Sequence, residues 1–149
     1  MYKLAITSIA AFVLSVGISM PLYSDEDGHD GTNLGIKIET LAKSSKEWSG
    51  ETLPAYPESQ PQITVLRITV PVGVELPFHS HPVINAAVVI QGNLELSLQD
   101  NTKRLFKSGD AFIEVVNTVH TGKSLGPEDL IVIVVYAGSE KIPTTVLVN

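Results

Sequence analysis

Hydrophobic residues recur at every second position, or in short unbroken runs, from Ile63 onward. A period of two puts successive side chains on opposite faces of a strand. The pattern predicts strands at residues 35–41, 63–70, 83–90, 94–98, 111–116 and 130–137, with turns rich in Gly, Asn, Asp and Pro between them. The last run, LIVIVVYA, is apolar at both parities, which predicts a central strand. With no convincing helical period, the expected fold class is all-β, a sandwich or a barrel.

The N-terminus follows a different pattern. Lys3 precedes an uncharged apolar run from Leu4 to Met20, and a proline and an acidic patch follow it. This order predicts a secretory signal peptide over residues 1–24 and therefore an exported protein, periplasmic or secreted. A retained membrane anchor is the alternative, although the run is short for the ~20 residues that a span needs. After cleavage, no stable membrane span is expected.

The remaining chain divides into a linker and one domain. Residues 25–34 are acidic and lack apolar periodicity, which predicts a flexible linker. His29 lies there and is interpreted as a solvated histidine. Residues 35–149 are long enough for one domain with its own core.

Composition restricts the candidate chemistry. The net charge of −6 argues against nucleic acid as a partner. The 149 residues contain no cysteine, so disulfides and thiolate metal sites are excluded. Any metal ligands must come from histidine, carboxylate, amide or water.

A long connection, residues 43–61, separates the first two predicted strands. Connections of this length inside a domain are uncommon. It contains Trp48 and Tyr56, the first being the only tryptophan of the chain. Two interpretations are open: a strap that aromatic packing pins across the barrel, or a lid at the mouth of a pocket.

Three of the four histidines occupy apolar stretches. His79 and His81 are two residues apart, so both rings leave the same face of an extended strand. Asn85 shares their parity if the strand is unbroken, although Pro82 favours a bulge there. His120 comes from a distant strand. Three imidazoles arranged in this way predict a metal site inside a barrel.

These two stretches resemble the motifs of the cupin superfamily. Its first motif is a glycine, five residues, His-x-His, three or four residues, glutamate, six residues and glycine, and Gly73, His79, His81 and Gly92 fit it. Asn85 stands where the family has glutamate. Its second motif is matched by Gly109 and His120, while Val115, Asn117 and Ser124 replace the family's proline, glycine and asparagine.

The resemblance implies a cupin jelly-roll β-barrel with a metal pocket inside. Its ligands would be His79, His81 and His120, and the ion would be divalent: iron, zinc, manganese, nickel or copper. Asn85 offers only a neutral carbonyl oxygen to an ion, or an amide that hydrogen-bonds a small-molecule ligand. We expect Asn85 to bind substrate. Buried neutral histidines that bind no metal are the alternative.

Two further residues are candidates for the site. Glu114, six residues before His120, shares its strand parity if the turn between them preserves it; facing inward, it would act as an acid–base catalyst or a ligand. A solvent-facing glutamate is the alternative. Arg67 stands alone among apolar residues and is a candidate for binding an anionic substrate within the barrel. An outward-facing guanidinium or a buried salt bridge is the alternative.

Two kinds of function follow from this site. The first is a metal-dependent enzyme acting on a small molecule, an oxidoreductase resembling the dioxygenases or an isomerase. The second is an exported module that binds a small molecule or a metal without turnover. A purely structural protein is the least favoured. By resemblance to cupins, which pair their barrels through edge strands, a homodimer is also expected.

Overall fold

The computed structural model describes residues 35–148, and its strands lie in one compact unit that begins at Ile38. Throughout this part of the chain the structure is all-β, without a helix. The strands are β1 (Pro61–Val70), β2 (His79–Ser80), β3 (Ile84–Gln91), β4 (Asn93–Leu98), β5 (Lys103–Lys107), β6 (Ala111–Ile113), β7 (His120–Leu125), β8 (Leu130–Ser139) and β9 (Val146–Leu147). The predicted fold class is confirmed.

The strands form two antiparallel sheets. One has four strands in the order β1-β8-β3-β6, and the other has five in the order β5-β4-β7-β2-β9. Residues that are far apart in sequence are neighbours in both sheets, as expected for a jelly roll rather than a simple meander.

Strand β8 shows why the interior is apolar. Its alternate residues Leu130, Val132, Val134 and Tyr136 are buried and face the space between the sheets. The intervening residues are also apolar, and alternation along the strand turns them to the outer face of the sheet. Strand β8 lies between β1 and β3, so it is an inner strand. The prediction of a central strand that is apolar on both faces is therefore confirmed.

The outer face of the four-stranded sheet is apolar where β1 and β8 meet. Ile63 and Val65 of β1 are exposed, and Val135, which pairs with Val65, is exposed beside them. Arg67 lies on the same outward parity of β1. This side of the sheet therefore differs from the polar outer face that antiparallel sheets commonly present to water.

Residues 35–41 do not form the predicted first strand. This segment has no regular secondary structure, and Ile36, Ile38 and Leu41 are exposed. The prediction was wrong because alternation alone does not make a strand; a neighbouring strand must also satisfy its backbone groups.

The turns required by the two motifs have specific backbone conformations. Gly92, between β3 and β4, has φ of 80°, and a Cβ there would lie 2.9 Å from the backbone oxygen of Asp129. Only glycine fits this approach without displacing backbone. Asn117, at the motif position where the family has glycine, has φ of 57°, a conformation that asparagine tolerates.

The N-terminal predictions concern residues outside the described part of the chain. The signal segment, residues 1–24, and the linker, residues 25–34 with His29, both lie there. Among residues 35–148, no helix is long and apolar enough to cross a membrane.

Candidate metal centre

Three histidines converge on the inner side of the five-stranded sheet. His79 of β2 is paired directly with His120 of β7, so their side chains leave the same face. His81 comes immediately after β2, two residues beyond His79. The ring centroids are 4.4 Å apart for His79 and His120, 4.9 Å for His79 and His81, and 5.1 Å for His81 and His120. We call these three residues the histidine cluster.

Backbone carbonyls hold each imidazole by its Nδ1 atom. The Nδ1 atoms of His79, His81 and His120 lie 2.9 Å from the carbonyl oxygens of Pro77, Thr144 and Thr118, respectively. A carbonyl only accepts, so each Nδ1 carries the proton and donates it. Each Nε2 then keeps its lone pair. Metal-binding histidines are oriented by hydrogen bonds of this kind.

The electrostatics also favour neutral imidazoles. Burial lowers the pKa of His79 and His120, and it lowers the pKa of His81 to about 4. Protons therefore compete weakly for the Nε2 atoms near neutral pH. A metal ion needs the unprotonated nitrogen, so the cluster is ready to bind at neutral pH.

The donor set fits a divalent ion. Each histidine offers one nitrogen, and these ligand atoms lie within 4.8 Å of one another. Three neutral imidazoles suit borderline ions such as zinc, iron(II), nickel and copper and leave coordination positions open. The histidine cluster can therefore hold a metal ion, while the donor set by itself does not select one element.

Opposite the histidine cluster, three polar residues form a row across the four-stranded sheet. Asn85 of β3 pairs with Tyr136 of β8, and its backbone oxygen accepts a hydrogen bond from the amide of Glu114, next to β6. Residues opposite each other in an antiparallel pair share a face. Glu114, Asn85 and Tyr136, which we call the polar row, therefore line the same cavity as the histidines.

Glu114 faces inward and is buried. Its Oε1 accepts hydrogen bonds from the Trp48 indole (2.7 Å) and the Val115 amide (2.9 Å), while its Oε2 lies 3.9 Å from Nε2 of His120. Burial raises the pKa of Glu114 to about 7, although these two hydrogen bonds act in the opposite direction. A carboxyl group with this pKa can gain or lose a proton near neutral pH.

The long connection of residues 43–61 supports Glu114 from outside the cavity. Besides its bond to Glu114, Trp48 packs edge-on against Phe106, with ring centroids 6.4 Å apart. Buried Glu47 accepts a 2.8 Å hydrogen bond from the Val116 amide. Trp48 does not line the cavity and Tyr56 is exposed, so the segment is arranged as a strap rather than a lid.

Asn85 is 2% exposed, and within residues 35–148 its Nδ2 has no hydrogen-bond partner. Buried polar groups in native proteins are nearly always paired, so an unpaired donor requires an explanation.

The cavity between the sheets has a volume of about 300 Å³. The histidine cluster, the polar row and Thr145 provide its polar atoms. The rest of its wall is apolar and consists of Ile68, Val70, Leu76, Pro77, Ala87, Leu94, Leu96, Phe112, Gly122, Leu130, Val132, Val134 and Leu147.

The structure corrects two arguments from strand parity. His81 and Asn85 do not lie on one unbroken strand, because β2 ends at Ser80 and β3 begins at Ile84 in the other sheet. They face each other across the cavity. Glu114 and His120 also lie on opposite sides of it, so their sequence parity is not what brings them together.

Arg67 is not in the cavity, and its expected role there is corrected. It is exposed on β1, whereas its neighbour Ile68 lines the cavity. Alternation along the strand therefore turns the guanidinium outward.

Some cavity residues were not anticipated from the sequence. Tyr136 hydrogen-bonds Thr145, whose Oγ1 lies 3.3 Å from Nδ1 of His81. The sequence could have indicated Tyr136, because it is the one inward-facing side chain of β8 that carries a polar atom. Thr144 and Thr145 gave no signal, because the two-residue strand β9 that follows them is too short to show a period.

A double-sheet barrel with three inward-facing histidines defines a class of β-barrel domains suited to a metal. Residues 66–136 match the family model described as Cupin domain. This part of the chain therefore matches a cupin domain, and the predicted resemblance is confirmed. The comparison with curated protein sequences found no relative.

Solved structures support the same fold. The DMSP lyase DddQ from Ruegeria pomeroyi is 20% identical, with a TM-score of 0.50, over 57% of this chain and 42% of its own. A protein with a double-stranded β-helix domain from Klebsiella pneumoniae is 23% identical, with a TM-score of 0.50, over 63% and 84%. Oxalate decarboxylase from Lactobacillus farciminis is 19% identical, with a TM-score of 0.50, over 58% and 26%. The match thus spans less than half of the lyase and the decarboxylase, and these identities support the fold alone.

Proposed function

We propose that this protein is a metal-dependent cupin that acts on a small organic molecule bound in its cavity. One observation carries the proposal: all three histidines donate Nδ1–H to a backbone carbonyl and keep Nε2 free. Structural histidines have no need to share this arrangement, whereas metal ligands do.

The proposed roles follow from the geometry. His79, His81 and His120 would hold the ion: iron, zinc, manganese, nickel or copper. A bound ion would act as a Lewis acid toward a ligand oxygen. Glu114 would hold or release a proton at Oε2, the carboxylate oxygen nearer to the histidines, while Trp48 and Val115 keep Oε1 occupied. The apolar wall would keep water away from the reacting group.

Two reaction classes suit this site. An oxidoreductase of dioxygenase type and an isomerase both suit an ion with open positions beside an acid–base group. The similar structures belong to proteins named as a lyase and an oxalate decarboxylase, so this fold serves different reactions. A dioxygenase would consume oxygen only when iron and substrate are both present.

The test is elemental mass spectrometry of the purified full-length protein, beside a His79→Ala/His81→Ala variant. We expect close to one ion per chain in the parent and none in the variant. If neither binds metal after reloading under reducing conditions, the proposal is wrong.

A binding module without turnover is the second candidate, and Asn85 favours it. An amide in place of a carboxylate reduces the negative charge at the site and offers a hydrogen-bond donor instead. Recovering a ligand unchanged after it has raised the melting temperature would favour this candidate. Release of a chemically altered product would exclude it.

Export and dimer formation stay predictions. For export, the support is the sequence of residues 1–24, and N-terminal sequencing of the native protein tests it. For a homodimer, the support is the exposed apolar face formed by Ile63, Val65 and Val135. Light scattering should give twice the chain mass for the parent and the single mass for Val65→Glu.

A further inference from the structure

The unpaired donor of Asn85 faces the cavity. Its Nδ2 is buried, has no partner among residues 35–148 and belongs to a side chain that lines the wall. Leaving such a donor unpaired destabilises the fold. A ligand oxygen that accepts its N–H would remove that penalty.

The composition of the wall restricts what the ligand can be. No lysine or arginine within the described residues lines the cavity. A ligand with two negative charges would therefore lack a side-chain counter-ion, since Arg67, the residue expected to bind an anion there, is exposed on β1. The apolar side chains that make up most of the wall favour an apolar body.

We propose that the cavity binds a small, largely apolar molecule with a single carbonyl or carboxylate group, and that Asn85 donates Nδ2–H to an oxygen of that group. This inference rests on the proposed function, because the ion held by the histidine cluster is expected to bind the same group. Asn85 would then favour ligands with an acceptor group and disfavour amines, because an ammonium group would place its N–H donors against the N–H donor of Asn85.

The test uses three probes that share one ring: benzoate, terephthalate and benzylamine. Each is titrated by calorimetry into the full-length protein loaded with zinc. Benzoate is expected to bind at least tenfold more tightly than terephthalate, which adds a second charge, and than benzylamine, which replaces the acceptor with a cation. Equal affinity for all three would overturn the inference.

Two variants of Asn85 test the donor itself. Asn85→Asp keeps the shape and replaces the N–H donor with an acceptor, so it should weaken benzoate binding at least tenfold. Asn85→Leu removes the unpaired donor, so it should raise the melting temperature of the ligand-free protein by several degrees while also weakening benzoate binding. Unchanged benzoate affinity in both variants would overturn the inference.

Ser124→Ala is the matched control. Ser124 is also fully buried, and its hydroxyl has no partner among residues 35–148, but it does not line the cavity. This variant should leave benzoate affinity unchanged. A loss as large as that of Asn85→Asp would mean that the effect is general, and would overturn the role of Asn85.

Zinc content is measured on every sample so that two failures remain distinct. Stoichiometric zinc with no discrimination among the probes overturns this inference and leaves the metal centre intact. If the parent does not bind zinc, the proposed function fails. The probes are then compared on the metal-free protein, where a preference for benzoate that depends on Asn85 still supports the inference.

Discussion

The two sides of the cavity differ in how completely their polar atoms are paired. In the histidine cluster, every Nδ1 has a backbone carbonyl and only the Nε2 atoms are left for a ligand. In the polar row, Oε1 of Glu114 accepts hydrogen bonds from two donors, while Nδ2 of Asn85 finds no acceptor among residues 35–148. The histidine side can therefore offer three oriented nitrogens to one ion, while the polar row retains an unused hydrogen-bond donor.

The strongest test of the histidine side is His120→Ala. Loss of a direct ligand should weaken metal affinity by more than the roughly 100-fold that loss of an outer hydrogen-bond partner can cost. A competition titration with a chromogenic chelator measures it. His29→Ala, which also removes one histidine, is the control and should bind metal like the parent. Unchanged affinity in His120→Ala would contradict the three-histidine site.

Glu114→Gln tests the polar row through pH. The folded-state pKa of Glu114 is raised from 4.5 to about 7, so the stability contributed by its protonated form is complete below pH 4.5 and lost as pH rises through 7. Glutamine does not titrate. As pH rises from 4 to 8, the free energy of unfolding of the metal-free variant should therefore increase by up to about 3 kcal/mol relative to that of the parent.

Chemical denaturation of both metal-free proteins across this range measures the difference. His81 has the opposite influence, because its pKa is lowered to about 4 and its contribution to stability is lost as pH falls from 6.5 toward 4. It is present in both proteins and cancels. A difference in stability that does not change with pH would contradict the raised pKa of Glu114.

Trp48→Phe tests how the strap supports the polar row. Phenylalanine retains aromatic packing near Phe106 but removes the indole donor to Glu114. At pH 8 the free energy of unfolding should fall by about 2 kcal/mol, the range for a hydrogen bond to a charged group. Tyr56→Phe, on an exposed residue of the same strap, is the control. Equal stability of Trp48→Phe and the parent would mean that the indole bond contributes nothing.

Thr145→Val tests the histidine cluster again and should have the smallest effect on metal affinity. It removes the hydroxyl 3.3 Å from Nδ1 of His81 but leaves the closer carbonyl of Thr144 in place. Metal affinity should fall by about tenfold or less. Thr118→Val is the control, since His120 bonds the carbonyl and not the hydroxyl of that residue. A hundredfold loss in Thr145→Val would make the hydroxyl, rather than the carbonyl, the main support of His81.

The sequence predicted the shared orientation of His79 and His81 because its cause is local, and the resemblance to the two cupin motifs added His120 from a strand distant in sequence. The His-x-His spacing and the glycine turns are short-range features, and His79 and His120 indeed face the same way. The change of sheet between Ser80 and Ile84 was not predictable, because Pro82 indicates a break but not its direction. The bond from Trp48 to Glu114 joins residues 66 positions apart and leaves no periodic signal.

Strand β9 is two residues long and lies at the edge of its sheet, yet it begins two residues after Thr144, whose carbonyl orients His81, and its Leu147 lines the cavity. Short edge segments open far more often than the whole domain unfolds. Each opening of residues 144–147 would release the ring of His81 and breach the wall beside it. If an ion and an organic ligand bind as proposed, both are therefore expected to leave at rates set by how often this short strand opens.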